Sequence, residues 1–195
     1  MRVALAEKNN PFELITEVPW NQGALTEQHN PLAKLPVLIL EDDSSIYDSR
    51  FILEYLECMY PQTPLLSSEV LERLVAKKLE VLADGVCDAV VLLFFERMRG
   101  EHASAEWTAR QVHKIEGGVR ELARLIEKRQ FAIGDQFGLA DIAVGAALGY
   151  LKVRFTDFDW QALYPSLANY STNLEQRPSF QSTQPYPQTI TDKVV

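Results

Sequence analysis

Cysteine is nearly absent. The two present, Cys58 and Cys87, make no CxxC pair and no Cys/His spacing suited to zinc, so the sequence supports neither a disulfide framework nor a metal site. That usage fits a reducing, cytoplasmic compartment. Long apolar runs are missing too. The longest, AVVLLFF at 89–95, lies between Asp88 and Glu96 and falls far short of the roughly 20 residues that a membrane helix needs. The opening MRVALAEKNN is too short and too charged for a signal peptide, and no membrane partner is expected. Positive charge is in deficit, with 19 Lys and Arg against 27 Asp and Glu and a formal net charge of -8. The resulting field repels phosphate backbones, so no nucleic acid is expected as a partner.

What remains is ordinary globular composition, 47% hydrophobic and 24% charged, in a chain of 195 residues that suits one or two compact units. Residues 2–8 are good helix formers stopped by Asn9-Asn10-Pro11, which predicts a short first helix. PFELITEV at 11–18 is rich in β-branched residues and predicts a strand. Residues 19–34, with Pro19, Asn21, Gly23, Asn30 and Pro31, predict a long irregular segment of the kind that is usually functional. PVLILE at 36–41 predicts a strand, EDDSS at 41–45 a hairpin turn and IYD at 46–48 a return strand. Ser49 then opens a helix marked by Phe51, Ile52, Tyr55, Leu56 and Met59.

PQTPLLSS at 61–68 reads as a linker, which separates an α/β domain over 1–60 from an all-helical domain over 69–195. The stripe Leu71, Leu74, Val75, Leu79, Leu82, Val86, Ala89 and Leu93 predicts one long helix that ends near Arg99-Gly100. Residues 105–128 predict a second, with Gly117-Gly118 marking close packing or a bend. Residues 139–154 are apolar almost all round and predict the central buried helix, with Gly138 and Asp141 supplying half of a capping box. Residues 160–176 predict a last helix stopped by Pro178, and the tail shows no period.

Four stretches carry a family resemblance over nearly the whole chain: NPLAKLPVLILED at 30–42, YDSRFILEYLE at 47–57, FGLADIAVGAALGY at 137–150 and RPSF at 177–180. In this order and spacing the chain resembles the glutathione transferases. The resemblance implies an α/β thioredoxin-like N-terminal domain and an all-α C-terminal helical domain. It also implies reduced glutathione as substrate, with no metal, and a homodimer. Pro36, which stands oddly inside an apolar run, matches the family's cis proline; proline is the residue for which cis is accessible. The backbone of Leu35 would then pair with the cysteinyl part of glutathione as an added strand does.

Asp48 and Ser49 match an acid-serine pair at a helix N-terminus, where the acid takes the γ-glutamyl ammonium and the serine takes its carboxylate. Arg50 and Lys34 match positions that also reach the tripeptide in some members. A plain N-cap with surface charges is the bland alternative for Asp48-Ser49. Asp84 matches an acid that some relatives lend to the other subunit, or else is a solvated carboxylate. Phe94, Phe95 and Met98 suit either a wall for the electrophile or core. Trp107, Trp160, His29, His102 and His113 read as structural or surface residues, and both cysteines as passive thiols.

One part of the pattern has no match. The family's first strand, central in its sheet between the strands matching 12–18 and 36–41, and the catalytic Tyr, Ser or Cys after it, have no counterpart here. On that basis the N-terminal domain is expected to be truncated, and unstable or rearranged. A start assigned too far downstream, a shortened inactive descendant, or a Met1 amine acting on the thiol are the three readings. The expected activity is conjugation of the glutathione thiolate to small hydrophobic electrophiles. The rivals are an interaction protein like the stringent starvation proteins, and a glutathione-dependent isomerase or reductase.

Overall fold

A computed structural model describes residues 1–191. It divides into two compact units, Met1–Pro64 joined by a tail segment that begins at Gln188, and Leu65–Pro187.

The first unit runs α1 (Arg2–Glu7), α2 (Thr26–His29), β1 (Leu38–Ile39), β2 (Ser45–Ile46) and α3 (Ser49–Met59). The strands pair antiparallel in a two-stranded sheet, Leu38 opposite Ile46 and Ile39 opposite Ser45. The turn between them is closed by Leu40 N–H donating to Ser44 O at 2.8 Å, with Asp43 at φ 63°. Both strands are shorter than the expected 36–41 and 46–48. Residues 11–18, expected as a strand, form none: no strand among the described residues offers them a ladder. An extended segment becomes a strand only through its neighbour. Phe12, Leu14 and Ile15 on it are 40%, 48% and 73% exposed.

α3 forms because Ile52, Leu53 and Leu56 put one buried stripe along it. A buried lysine holds its far end. Lys8 follows α1, and its Nζ donates to Tyr60 O at 3.0 Å and Thr63 O at 2.8 Å and pairs with Glu57 Oε1 at 2.7 Å. Three ammonium protons thus meet three acceptors, the condition under which burying such a charge is tolerable.

The second unit is helical: α4 (Val70–Met98), a 3-10 turn (Gly100–His102), α5 (Ala105–Ile126), α6 (Leu139–Arg154), α7 (Trp160–Leu163), α8 (Pro165–Glu175) and α9 (Pro178–Gln181). The single helix expected over 160–176 is two, because Pro165 lacks the N–H that a continuous helix would use and instead starts α8 at its first position. α9 lies in the tail that showed no period. α5 runs unbroken through Gly117-Gly118, and a Cβ on Gly118 would lie 2.4 Å from Val86 Cγ2, so this glycine marks close packing of α5 on α4. α6 is central, buried from Leu139 to Leu151 on most of its faces. The α4 stripe is buried at Leu79, Val86 and Leu93 but open in its first turns, where Leu71 is 77% and Leu74 61% exposed.

Asp141 organises the entry to α6. Its carboxylate accepts from Gly138 N–H at 2.9 Å, from Ala132 N–H at 2.8 Å and from the Tyr170 hydroxyl at 2.6 Å. Only the acid half of a capping box operates, since Gly138 has no side chain. Burial holds the Asp141 carboxyl above its usual range, and the three donors offset this only in part. Replacing it strands buried donors at about 1–3 kcal/mol each. Asp141→Ala is expected to lose more than about 2 kcal/mol in a denaturant titration followed by circular dichroism.

Candidate functional site

The hairpin register brings two segments to one end of the sheet. Counting back from Leu38 leads to Pro36 and Leu35, and counting forward from its partner Ile46 leads to Asp48 and Ser49. The Leu35–Pro36 and Tyr47–Asp48 peptides there are both cis.

Asp48 is the N-cap of α3, and its Oδ1 accepts from Arg50 N–H at 3.0 Å. The capping reading of this residue therefore holds geometrically, and the bond uses one carboxylate oxygen of an exposed side chain. Ser49 occupies the first helical position, where the backbone N–H has no acceptor within the helix. Its hydroxyl has no hydrogen-bond partner among the described residues. An anion at this end would meet that N–H, the hydroxyl and the positive end of an 11-residue helix. Arg50 and Lys34 are exposed.

Leu35 is 47% exposed. Its N–H and C=O make no hydrogen bond among the described residues, and Pro36 after it has no N–H to give. This is a length of extended backbone with a donor and an acceptor on offer. A residue missed in the sequence builds the loop that carries it. Asn30 is 1% exposed; its Oδ1 accepts from Leu32 N–H at 2.9 Å, its backbone C=O accepts from Ala33 N–H at 2.9 Å, and its Nδ2 donates to Lys34 O at 2.8 Å. The signal was the Asn30-Pro31 pair, a sequence that opens turns through the asparagine side chain. Ser45 Oγ, donating to His29 O at 2.7 Å, joins the loop to β2.

In the second unit Phe94, Phe95 and Met98 lie together in the last turns of α4. Phe94 and Phe95 meet edge to face at 5.4 Å, the Arg154 guanidinium lies 4.4 Å from the Phe94 ring, and Met98 is 41% exposed. Trp160 is buried and Trp107 is 42% exposed. Two open cavities of about 310 and 380 Å³, the first around Phe155 and Trp160 and the second around Phe131 and Arg177, contain none of the six first-unit residues Lys34, Leu35, Pro36, Asp48, Ser49 and Arg50. No group of three or more His, Cys, Asp or Glu among the described residues could hold a metal ion, and no described helix is long and apolar enough to cross a membrane.

Two family profiles match, the one described as Glutathione S-transferase, N-terminal domain over residues 1–58 and the one described as its C-terminal domain over residues 105–173. The uncharacterized GST-like protein YibF of Escherichia coli is 35% identical over 186 residues, which cover 95% of this chain and 92% of YibF. The chain belongs to the glutathione S-transferase family. A glutathione S-transferase of Methylobacterium radiotolerans, solved in complex with glutathione sulfonate, is 55% identical with a TM-score of 0.98, covering 100% of this chain and 92% of that one. Another from Methylobacillus flagellatus, solved with GSH bound, is 39% identical with a TM-score of 0.89, over 94% of this chain and 92% of its own.

Neither of this family member's cysteines lies among those six residues. Cys58 is exposed at the end of α3. Cys87 lies on α4, where burial, then the carboxylates of Asp84 and Asp88, push its thiol up to about 12. A thiol so raised stays protonated near neutrality, and it is the thiolate that reacts. Iodoacetamide at pH 8 is therefore expected to modify Cys58 and spare Cys87 in the folded protein, with Cys87 reacting only after denaturation, as read by peptide mass spectrometry.

Proposed function

We propose that this protein binds reduced glutathione in its first unit and presents the thiol to small hydrophobic electrophiles. The observation that carries the reading is the unpaired main chain of Leu35 at the same end of the hairpin as the capped N-terminus of α3. Leu35 N–H and C=O take the cysteinyl amide groups as a neighbouring strand would. The free oxygen of Asp48 takes the γ-glutamyl ammonium, and Ser49 N–H and Oγ take its carboxylate. Pro36 fixes the chain beside Leu35, Lys34 serves the glycyl carboxylate, and Arg50 adds charge at the γ-glutamyl end. The thiol gives up its proton to solvent and the sulfur bonds to the electrophilic carbon, whose leaving group departs with the electron pair of the broken bond or, at an activated double bond, whose π pair moves away and takes up a proton. The ligands named for the two solved relatives above support this reading and do not favour the interaction-protein alternative.

Calorimetric titration of reduced glutathione tests it. Asp48→Asn keeps a capping oxygen but removes the charge, so it is expected to weaken binding at least about tenfold with little change in melting temperature, and Ser49→Ala to weaken it about as much. A folded wild-type chain that takes up no glutathione at millimolar concentration would refute the proposal.

The open first turns of α4 favour self-association, giving the homodimer that family membership suggests. Val70, Leu71, Leu74 and Val75 are each at least 46% exposed along one face, an apolar stripe that a monomer has no reason to leave in water. Sedimentation velocity is expected to give a dimer for the wild type and a monomer for the double variant Leu71→Glu, Leu74→Glu. A monomeric wild type would rule this part out.

A further inference from the structure

Resting on the glutathione reading, we infer that Asn30 is the positioning residue that aims the Leu35 N–H at the ligand. The argument is one of peptide geometry. Lys34 O and Leu35 N–H belong to the same peptide unit, which is trans, since the cis bonds of the described chain are at 35–36 and 47–48. In a trans peptide the C=O and the N–H point in opposite directions. Asn30 is buried and its Nδ2 holds Lys34 O at 2.8 Å, so the carbonyl is turned inward and the Leu35 N–H is turned outward.

The clamp is itself held. Asn30 Oδ1 is engaged by Leu32 N–H and its backbone C=O by Ala33 N–H, which ties the side chain to a turn two and three residues on. Its backbone N–H donates to Thr26 O at 2.8 Å, anchoring the residue to α2. The amide orientation is set by chemistry, because only nitrogen can donate to the Lys34 carbonyl and only oxygen can accept from the Leu32 amide. Ala33 at φ 51° completes the loop in a left-handed conformation that costs a non-glycine residue energy and needs such support. Without the clamp the 34–35 peptide is free to rotate, and the donor that ought to be waiting for the cysteinyl carbonyl points elsewhere part of the time. Pre-aiming a donor removes an ordering cost from binding.

Asn30→Asp is the sharpest variant. It retains the oxygen that receives Leu32 N–H, loses the donor to Lys34 O and sets a carboxylate oxygen against that carbonyl. Amide NMR titration with reduced glutathione reads two reporters, Leu35 and Ser49. In the wild type both are expected to shift on saturation. In Asn30→Asp the Ser49 shift is expected to persist while the Leu35 shift collapses, with affinity falling about tenfold. A purely structural role would weaken both reporters together, and this outcome, like an affinity equal to wild type, would overturn the inference. A wild type in which neither amide responds would overturn the glutathione reading and this inference with it. Should the variant not fold, the wild type decides alone: its Asn30 Nδ2 protons are expected to exchange slowly with solvent, and exchange at the rate of an exposed amide would refute the clamp.

Discussion

Irregular chain cannot satisfy its own backbone, and each buried N–H or C=O left unpaired costs about 1–3 kcal/mol. Three of the buried polar side chains among the described residues meet that constraint. Asn30 serves the loop before β1, Lys8 the residues after α3, and Asp141 the residues before α6. Each stands on a regular element or a turn and reaches across to main-chain groups that no ladder or helix could pair. The apolar stripes of α3, α4 and α6 decide what packs, while these three groups decide the course of the chain between the packed parts. Two of the three lie in the unit that carries the proposed ligand, where the presented groups are themselves main chain.

The helices were largely legible because their information is local. α6 announced both ends, through Gly138 and Asp141 at its start and a sustained apolar pattern to Arg154. α4 followed from one stripe, although the pattern could not tell that its first turns are open. The strands were less legible, since a ladder depends on the neighbour: the β-branched residues of 11–18 carry strand propensity and still form no ladder. Asp48 and Ser49 could be read as a helix start, with both the capping and the binding reading attached. Lys8 could not be read at all. A lysine at a helix end looks like a surface residue, and its acceptors lie 52 and 55 residues further on.

Recognition through backbone atoms separates what binds from what varies. On the proposed reading, the Leu35 side chain contributes nothing specific, so that position tolerates many residues, whereas the groups that set the peptide plane do not. The same logic holds in the second unit, where the backbone of α5 approaches α4 through Gly118 and that of α6 approaches Phe180 through Gly145, a Cβ there lying 2.6 Å from the ring. Side-chain identity is constrained most where a backbone must come close or point in one direction.

The tail returns to the first unit. Gln188 Nε2 donates to Glu17 O at 3.4 Å and Thr191 N–H donates to Asn21 Oδ1 at 3.0 Å, joining residues 171 and 170 positions apart. On a ribosome that makes about 5–20 residues per second, the loop around Glu17 and Asn21 waits on the order of ten seconds or more for these partners. Most of the first unit is thus synthesised before the helical unit and completed only after it, its outer loop open to chaperones and proteases while the helical unit is still being made.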